Sequence, residues 1–410
     1  MKNILSRKDQ IESRFMRKGA DIMKQLGVGI IGAGIMGTTH AKACKAHPNL
    51  RVVGVADVLK EKAEKLAKEV GAQVYTDYEK MLKNEEIEVV FVTTPDHLHK
   101  EPAIAAADAE KHLWIEKPLA TRIEDAREML SALEKAQRKG VKITVQFSTR
   151  WYPFYEAARL VVAEGYLGDP SSSSMTISDR IDVPMSMWGG PSKTWAKYST
   201  VADFLTCYSV DLIRTISGKE AKTVYAKSSS KVLKFTPDFY QAIVTFEDEF
   251  HVFFESSWIL ARTKPILSEH HLNFVCSEGT MQYTHANTTF ATHAVGGGEI
   301  FFTEESSIDQ LREIQEKLRK EGIISRIIWE SERERLYGER VKLRECNRAL
   351  WVPADAPHKV MHHQGGQLNN FVHSILEDEE PYVTLMDGYR SAEVVCAIKR
   401  SAETGEIVKL

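Results

Sequence analysis

Little cysteine, no long apolar run and no excess of either charge characterise this chain of 410 residues. Its five cysteines, Cys44, Cys207, Cys276, Cys346 and Cys396, are odd in number, far apart and without a C-x-x-C pair. That excludes a disulfide scaffold and a cysteine zinc site, and fits a reducing compartment. No stretch reaches the roughly 18 apolar residues of a membrane-spanning helix. With 54 basic and 57 acidic residues, net charge -3, neither nucleic acid nor an anionic membrane is an expected partner. Residues 1–25 lack an apolar core and a small-residue cleavage site, so they read as a solvated helical extension rather than a secretory signal. Met23, just before the first apolar run, offers a second translational start. A content of 43% hydrophobic and 27% charged residues is an ordinary globular mix. The class left standing is a cytoplasmic enzyme or ligand binder.

What is present begins with the apolar, β-branched run L-G-V-G-I-I at Leu26–Ile31. The turn Gly32-Ala33-Gly34-Ile35-Met36-Gly37 follows, and then a helical segment, 38–46. Glycine triplets arise by chance, but a strand before and a helix after make this the G-x-G-x-x-G of a dinucleotide site. Gly32 allows the tight turn, Gly34 lets the backbone approach a pyrophosphate, and Gly37 lets the helix pack on the strand. The helix start, with Ile35 and Met36, turns its N–H groups to the phosphates. The run at Leu50–Ala56 reads as a second strand and ends in Asp57, 20 residues after Gly37, where a carboxylate accepts from ribose hydroxyls. A carboxylate there repels a 2′-phosphate, so NAD is favoured over NADP. The bland alternative for Asp57 is a helix N-cap.

Apolar strand patterns continue at 89–94, 112–116 and 142–147, with helical stretches at 59–70, 101–110 and 122–138. This alternation predicts an α/β fold with a doubly wound parallel sheet over 26–149, binding ligands at the carboxyl ends of its strands. Thr94, Pro95 and His99 follow one such end, and Glu116-Lys117-Pro118 follow another. A lysine desolvated beside a nicotinamide can exchange a proton with a substrate hydroxyl. Glu116 points to the opposite face of the strand, which makes a salt bridge with Lys117 awkward.

These residues resemble the glucose-fructose oxidoreductase / inositol dehydrogenase / rhizopine-catabolism (Gfo/Idh/MocA) family. The likeness rests on the glycine turn with His40 just after it, Asp57, T-P-D-H-L-H at 94–99, E-K-P at 116–118, and the tail Ser401-Ala402-Glu403-Thr404-Gly405. It is good over 26–220 and 364–410 and poor over 221–363. The resemblance implies a Rossmann domain followed by an α+β domain, 150–410, with a large open, mostly antiparallel sheet that joins copies into a homodimer or homotetramer. It implies nicotinamide-dependent oxidation or reduction of a sugar, inositol or related cyclic polyol. It gives Lys117 the reacting oxygen, puts a cis bond before Pro118, and brings Arg150 of Arg150-Trp151-Tyr152-Pro153 close to cofactor or substrate.

The resemblance also implies a second catalytic position on a later helix. Aligning Asp211 and Gly218 with the family places Tyr208 where many members have histidine. Phe204 then stands at the first aspartate position, with Asp203 one residue out of register. The glucose-fructose enzymes resemble this chain in having tyrosine there. The alternative register puts Cys207 at the histidine position. A Lys117 ammonium beside Tyr208 is expected to lower the pKa of the phenol, and a Tyr–Lys couple can relay a proton. Asp211, three residues on, shares the helix face of Tyr208 and is placed to orient the substrate.

Trp151, Arg180 and Trp188 are further candidate substrate contacts, since indoles stack on sugar rings and arginine bonds hydroxyls; such aromatics equally well form core. Trp258, His270 and His271 are expected near the same cleft. His358, His362 and His363 have no spacing that completes a ligand set, so no metal is expected. Residues 304–345 hold 11 acidic and 10 basic side chains. Ile308, Leu311, Ile314 and Leu318 share one helical face, and Ile323, Ile324, Ile327 and Ile328 another, with Gly322 between. This reads as a helical hairpin or bent helix, either a solvated surface insertion or a lid or oligomer arm that shapes the substrate pocket. Three functions follow: an NAD-dependent dehydrogenase or reductase, a redox-neutral glycoside hydrolase using NAD, or a regulator that binds NAD or sugar without turnover. A desolvated lysine argues against the last.

Overall fold

The structure, a computed structural model, describes residues 25–187, 195–288, 294–303, 308–329, 332–337, 341–346, 349–353 and 362–410. The first half alternates as the apolar runs require: β1 (Leu26–Ile31), α1 (Ile35–Ala46), β2 (Leu50–Ala56), α2 (Lys60–Val70), β3 (Gln73–Tyr75), α3 (Tyr78–Leu82), β4 (Val89–Val92), α4 (Lys100–Asp108), β5 (His112–Ile115), α5 (Ile123–Gln137) and β6 (Ile143–Val145). The strands are parallel in the order β3-β2-β1-β4-β5-β6, the doubly wound arrangement of a Rossmann sheet. Their residues are apolar on both faces because helices cover both sides; all six residues of β1 are buried.

After α6 (Pro153–Ala163) the chain enters β7 (Pro170–Arg180). It then passes through α7 (Cys207–Ser217), β8 (Ala221–Ser229), β9 (Phe239–Phe246), β10 (His251–Leu260), β11 (Ile266–Cys276), β12 (Gly279–Thr288) and β13 (Ala294–Phe302). Next come α8 (Ile308–Lys320), β14 (Arg326–Trp329), β15 (Glu332–Tyr337), β16 (Val341–Cys346) and β17 (Ala349–Pro353). The chain closes with α9 (His362–Leu376), α10 (Leu385–Thr404) and β18 (Val408–Lys409). Ten of these strands form one sheet, β14-β17-β13-β12-β11-β7-β10-β9-β8-β18. All its neighbours are antiparallel except β7 and β10, so the expected mostly antiparallel sheet is present. Helices α6, α7 and α10 lie against one face of it.

The last helices return to the first sheet. Phe371 of α9 packs edge-on against Trp114 of β5, and the Gln367 side-chain amide donates to the Val145 carbonyl at 2.8 Å. Helix α10 starts at a reciprocal Thr384/Asp387 capping box and ends at Gly405 in the left-handed region.

The charged segment departs from the helical-hairpin expectation. Ile308, Leu311, Ile314 and Leu318 do lie in a helix, α8, with Leu311, Ile314 and Leu318 buried. Beyond Gly322 (φ 78°) the chain becomes extended, and Ile327 pairs with Leu350 in the large sheet. Residues Glu332–Tyr337 and Val341–Cys346 form a two-stranded hairpin. Clustered β-branched isoleucines favour a strand, and the polar–apolar alternation of V-K-L-R-E-C has the period of two that a strand needs.

Candidate active site

Gly32 stands at φ +100°, and a Cβ there would lie 2.6 Å from the Thr93 carbonyl oxygen. A Cβ on Gly37 would lie 1.8 Å from the Gly32 oxygen. Both glycines are therefore required by the close crossing of β1, α1 and the end of β4. Gly34 differs: a Cβ there would meet nothing within 4 Å, so its backbone faces open space. Helix α1 starts with no side-chain cap, leaving its first N–H groups, at Ile35 and Met36, available to an anion. Asp57 braces this turn. Its Oδ2 accepts from the Ala33 N–H at 2.8 Å and its Oδ1 from the Leu59 N–H at 2.8 Å. Leu59, not Asp57, occupies the N-cap of α2. Beside the carboxylate, Ile35, Val58 and Leu59 leave apolar surface exposed, Val58 at 87%. An uncapped helix start, an open glycine, a carboxylate and an apolar shelf fit the pyrophosphate, ribose and adenine of a dinucleotide.

Thr94 and the exposed Pro95 follow β4 at the same edge. His99 and Glu116 lie deeper. Both nitrogens of the buried His99 ring face carbonyl oxygens, Pro118 at 2.9 Å and Thr94 at 3.1 Å, so it ties two strand-end turns together. Burial lowers its pKa, outweighing those contacts and Asp96. Glu116 is hydrogen-bonded at 2.5 Å to His40 of α1, and both are buried. It points away from Lys117, as strand alternation requires, and the peptide Lys117–Pro118 is cis.

Lys117 is 9% exposed. Its ammonium donates to the Phe204 carbonyl at 2.8 Å and lies 3.7 Å from the centroid of the Phe204 ring and 4.4 Å from that of Tyr208. Phe204 belongs to a wide π-helical turn, Ala202–Thr206, that leads into α7. Two aromatic faces and a carbonyl thus hold the cation where a carboxylate would be the usual partner. Asp203 turns the other way: Lys399 binds it at 2.6 Å, and the Thr200 N–H and hydroxyl donate to it at 3.0 and 2.7 Å.

Tyr208 departs from expectation in its acidity. Its hydroxyl donates to Gln146 at 3.4 Å, and burial raises its pKa well above the ordinary phenol value. Lys117 sits over the ring face rather than at the oxygen, so its charge does not offset desolvation. Cys207 is fully buried, with its thiol pushed up to about 12 by burial.

Asp211 and Arg150 meet each other rather than the cleft. Arg150 Nε donates to Asp211 Oδ2 at 2.8 Å and Nη2 to Oδ1 at 2.5 Å. Their side chains are 5% and 0% exposed, and Asp387 adds a second carboxylate at 3.1 Å from Arg150. Arg180 is likewise engaged, with Asp182 at 2.6 Å and the Lys264 carbonyl at 3.1 Å. Trp151 packs against Tyr382, with ring centroids 5.3 Å apart. Trp188, His358 and most of residues 1–25 lie outside the described residues, as do the side chains of His362 and His363.

The covered face of the large sheet supplies what sequence reasoning missed. Asp179, near the end of β7, is 4% exposed and has the Ser268 hydroxyl of β11 hydrogen-bonded to it. Buried His270 lies on the same face, whereas His271 points out the other side. The rings of Trp258, Trp195 and Phe204 pack in one cluster beneath Lys117. The period-two pattern Met175, Ile177, Asp179 was the available signal, because it puts the carboxylate on the covered face.

Residues 26–147 match a family model described as an oxidoreductase family with an NAD-binding Rossmann fold, and residues 155–282 match the GFO/IDH/MocA C-terminal domain. The chain belongs to the Gfo/Idh/MocA oxidoreductase family. The second match runs past residue 220, where the recognisable motifs thin out. Levoglucosan dehydrogenase of Pseudarthrobacter phenanthrenivorans is 36% identical over 36% of this chain and 39% of its own. The scyllo-inositol 2-dehydrogenase (NAD(+)) of Bacillus subtilis is 30% identical over 49% of this chain and 56% of its own. A 2,7-anhydro-N-acetylneuraminate hydratase of Escherichia coli is 30% identical over 35% of this chain and 37% of its own. The chain therefore spans about half the length, or less, of the curated relatives it matches. A structure of levoglucosan dehydrogenase with NADH and levoglucosan has the same fold, with TM-score 0.70 and 21% identity over 94% of this chain and 99% of the other. As in the rest of the family, the glycine turn belongs to an NAD-binding Rossmann domain.

Proposed function

We propose that this member of the family is an NAD-dependent dehydrogenase or reductase of a sugar, inositol or related cyclic polyol. Lys117 binds the reacting oxygen and exchanges its proton. NAD, when bound, supplies the hydride acceptor or donor. The observation that carries this reading is the placement of Lys117. Its ammonium is buried at the carboxyl end of β5, between the dinucleotide crevice and the covered face of the large sheet. An ammonium has three N–H donors. Phe204 takes one, leaving two for a substrate oxygen. Tyr208 assists by holding the cation on its ring face, with its hydroxyl anchored on Gln146. Gly34, the start of α1 and Asp57 hold the dinucleotide.

The names of the relatives support the substrate class: levoglucosan, an inositol and an anhydro sugar acid. The hydratase among them favours one second reading, in which NAD is oxidant and reductant in a single turnover with no net redox change. We also infer self-association into a homodimer or homotetramer through the open face of the large sheet. Exposed Tyr225, Ile243 and Phe253 stand in register across β8, β9 and β10 on that face. Sedimentation is expected to give a dimer or tetramer, and a monomer at micromolar concentration refutes it.

The test is an absorbance screen for NADH formation with sugars, inositols, anhydro sugars and glycosides, with Lys117→Ala as control. Turnover of a ring polyol or sugar, lost in the variant while NAD binding stays, is the expected result. Silence with NAD retained through purification transfers the weight to the redox-neutral reading. Silence with no NAD binding refutes both.

A further inference from the structure

The covered face of the large sheet is apolar along most of its width, as a face packed under helices must be. One corner is polar. Asp179 ends its β7 row, Ser268 stands opposite it on β11, and His270 lies two residues further on, with His285 across from it on β12. On the other side, the pairs Ser257–Ser178 and Leu260–Arg180 bracket Trp258 and Asp179 together. Trp258 in turn packs on Phe204, whose ring and carbonyl hold Lys117. The register therefore sets a buried carboxylate beside Trp258, in the aromatic cluster whose Phe204 ring carries the buried ammonium. Lys117 is the opposite charge acting on Asp179, yet among the described residues the two stop short of an ion pair. A buried carboxylate without a direct cation is costly, so a fold that places one there has put it to use or carries it at a loss.

We propose that Asp179 is the positioning and proton-relay residue of Lys117, taking from it the proton that leaves the substrate hydroxyl and returning one in the reverse reaction. The proposal rests on the dehydrogenase reading. In the oxidative direction the substrate C–H bond breaks and its hydride goes to NAD. The O–H bond breaks as the C=O bond forms, and the proton goes to the Lys117 nitrogen as that nitrogen gives up a proton of its own. That proton then passes to the Asp179 carboxylate through one bridging water or hydroxyl, and on to solvent. Alcohol and oxidised NAD become carbonyl, reduced NAD and one proton, so atoms and electrons balance.

The surrounding groups suit the role. Burial pushes the Asp179 carboxyl up to about 7, against the lowering effects of Ser268 and Lys117, so both protonation states exist at neutral pH. Tyr208, from α7, keeps its proton. His270, from β11, is held neutral, its pKa lowered to about 3 by burial first and then by the neighbouring His285 and His271. Tyr152, before α6, faces His270 and His285. Arg180, next along β7, is bound to Asp182, and Glu269, next along β11, to Lys264. Among the described residues, none of these neighbours therefore competes with Lys117 for the proton.

Two measurements on the full chain test this. Carbon NMR of aspartate-labelled protein with NAD present, assigned by Asp179→Asn, reads the carboxyl directly. It is expected to titrate near neutrality, with a midpoint that rises in Lys117→Met. A midpoint in the ordinary carboxylate range, or one that Lys117→Met leaves unmoved, overturns the coupling. With any compound that wild type turns over, Asp179→Asn is expected to lower kcat on the order of 100-fold, leave KM within a few-fold and remove the near-neutral limb of the pH profile; Asp179→Glu recovers part. A wild-type pH profile in folded Asp179→Asn overturns the relay. If wild type turns over nothing, the dehydrogenase reading fails while the NMR titration still decides the Asp179–Lys117 coupling.

Discussion

Asp211→Ala removes the carboxylate that Arg150 grips with two donors, at 2.8 and 2.5 Å, in a site where neither side chain reaches solvent appreciably. Removing one partner of a buried pair leaves an uncompensated charge, which costs about 3–5 kcal/mol. Asp387 lies 3.1 Å from Arg150 and softens that loss, so the lower end, about 3 kcal/mol, is the expected figure. For a large chain each kcal/mol moves Tm by roughly 2–4 °C, which gives a fall of roughly 6–12 °C. Asp211→Asn keeps the shape and one acceptor and is expected to lose about half as much. The assay is thermal unfolding beside NAD titration calorimetry. In this reasoning stability falls first, and any surviving folded protein binds NAD normally. A variant with unchanged Tm but no turnover would refute it and return Asp211 to the substrate-orienting role that its helix spacing suggests.

Three further outcomes are expected. Gly34→Ala folds with wild-type stability, because its Cβ meets nothing within 4 Å, but binds NAD at least about 10-fold more weakly; Gly37→Ala, with a Cβ 1.8 Å from the Gly32 oxygen, loses stability in the same melting assay. If Gly34→Ala binds NAD as tightly as wild type, the open glycine is not the pyrophosphate cradle. Asp57→Ala frees the Ala33 N–H and removes the charge that repels a 2′-phosphate, so the ratio of NADP to NAD affinity rises; an unchanged ratio in paired titrations counts against the assignment. Asp179 has a folded-state pKa raised to about 7 by burial, so its stabilising effect is complete in acid and is lost as pH rises through that value. Asp179→Asn is therefore expected to be more stable than wild type at pH ~8, by up to about 4 kcal/mol, and to lose that advantage at pH ~4. Urea unfolding at both pH values checks the sign.

The Rossmann half was legible because its signals are local. A strand, a glycine turn and a helix are neighbours in sequence, so the pattern is complete before any long-range contact is known. The Glu116-Lys117-Pro118 turn was legible for the same reason. Partner choice across the chain was not. Arg150 and Asp211 were both read as facing the cleft, although 61 residues separate two side chains that satisfy each other. Glu116 was assigned to the cofactor, although His40, 76 residues earlier, takes it. A charged residue near a site is evidence for function only once its nearest countercharge is known, and that is a tertiary property. Segment 304–345 failed differently: isoleucines spaced for one helical face are equally well spaced for a strand once Gly322 has ended the helix.

Asp179 shows where such a reading can be pushed further. Nothing in S-S-S-S-M-T-I-S-D-R advertises a site, yet Met175 and Ile177 set the inward face, and the next inward position is a carboxylate. A polar residue that falls on the apolar phase of a strand either breaks the pattern at a cost or has a partner waiting. Phe204 completes the argument. At the helix position where the resemblance implies an aspartate in many members this chain has an aromatic ring, and Asp203 is taken by Lys399. The helix thus offers Lys117 two ring faces and a carbonyl but no proton acceptor at neutral pH. If Lys117 turns over a substrate hydroxyl, its proton leaves by another element, and β7 is the strand that carries a buried carboxylate beside Trp258 in the same aromatic cluster.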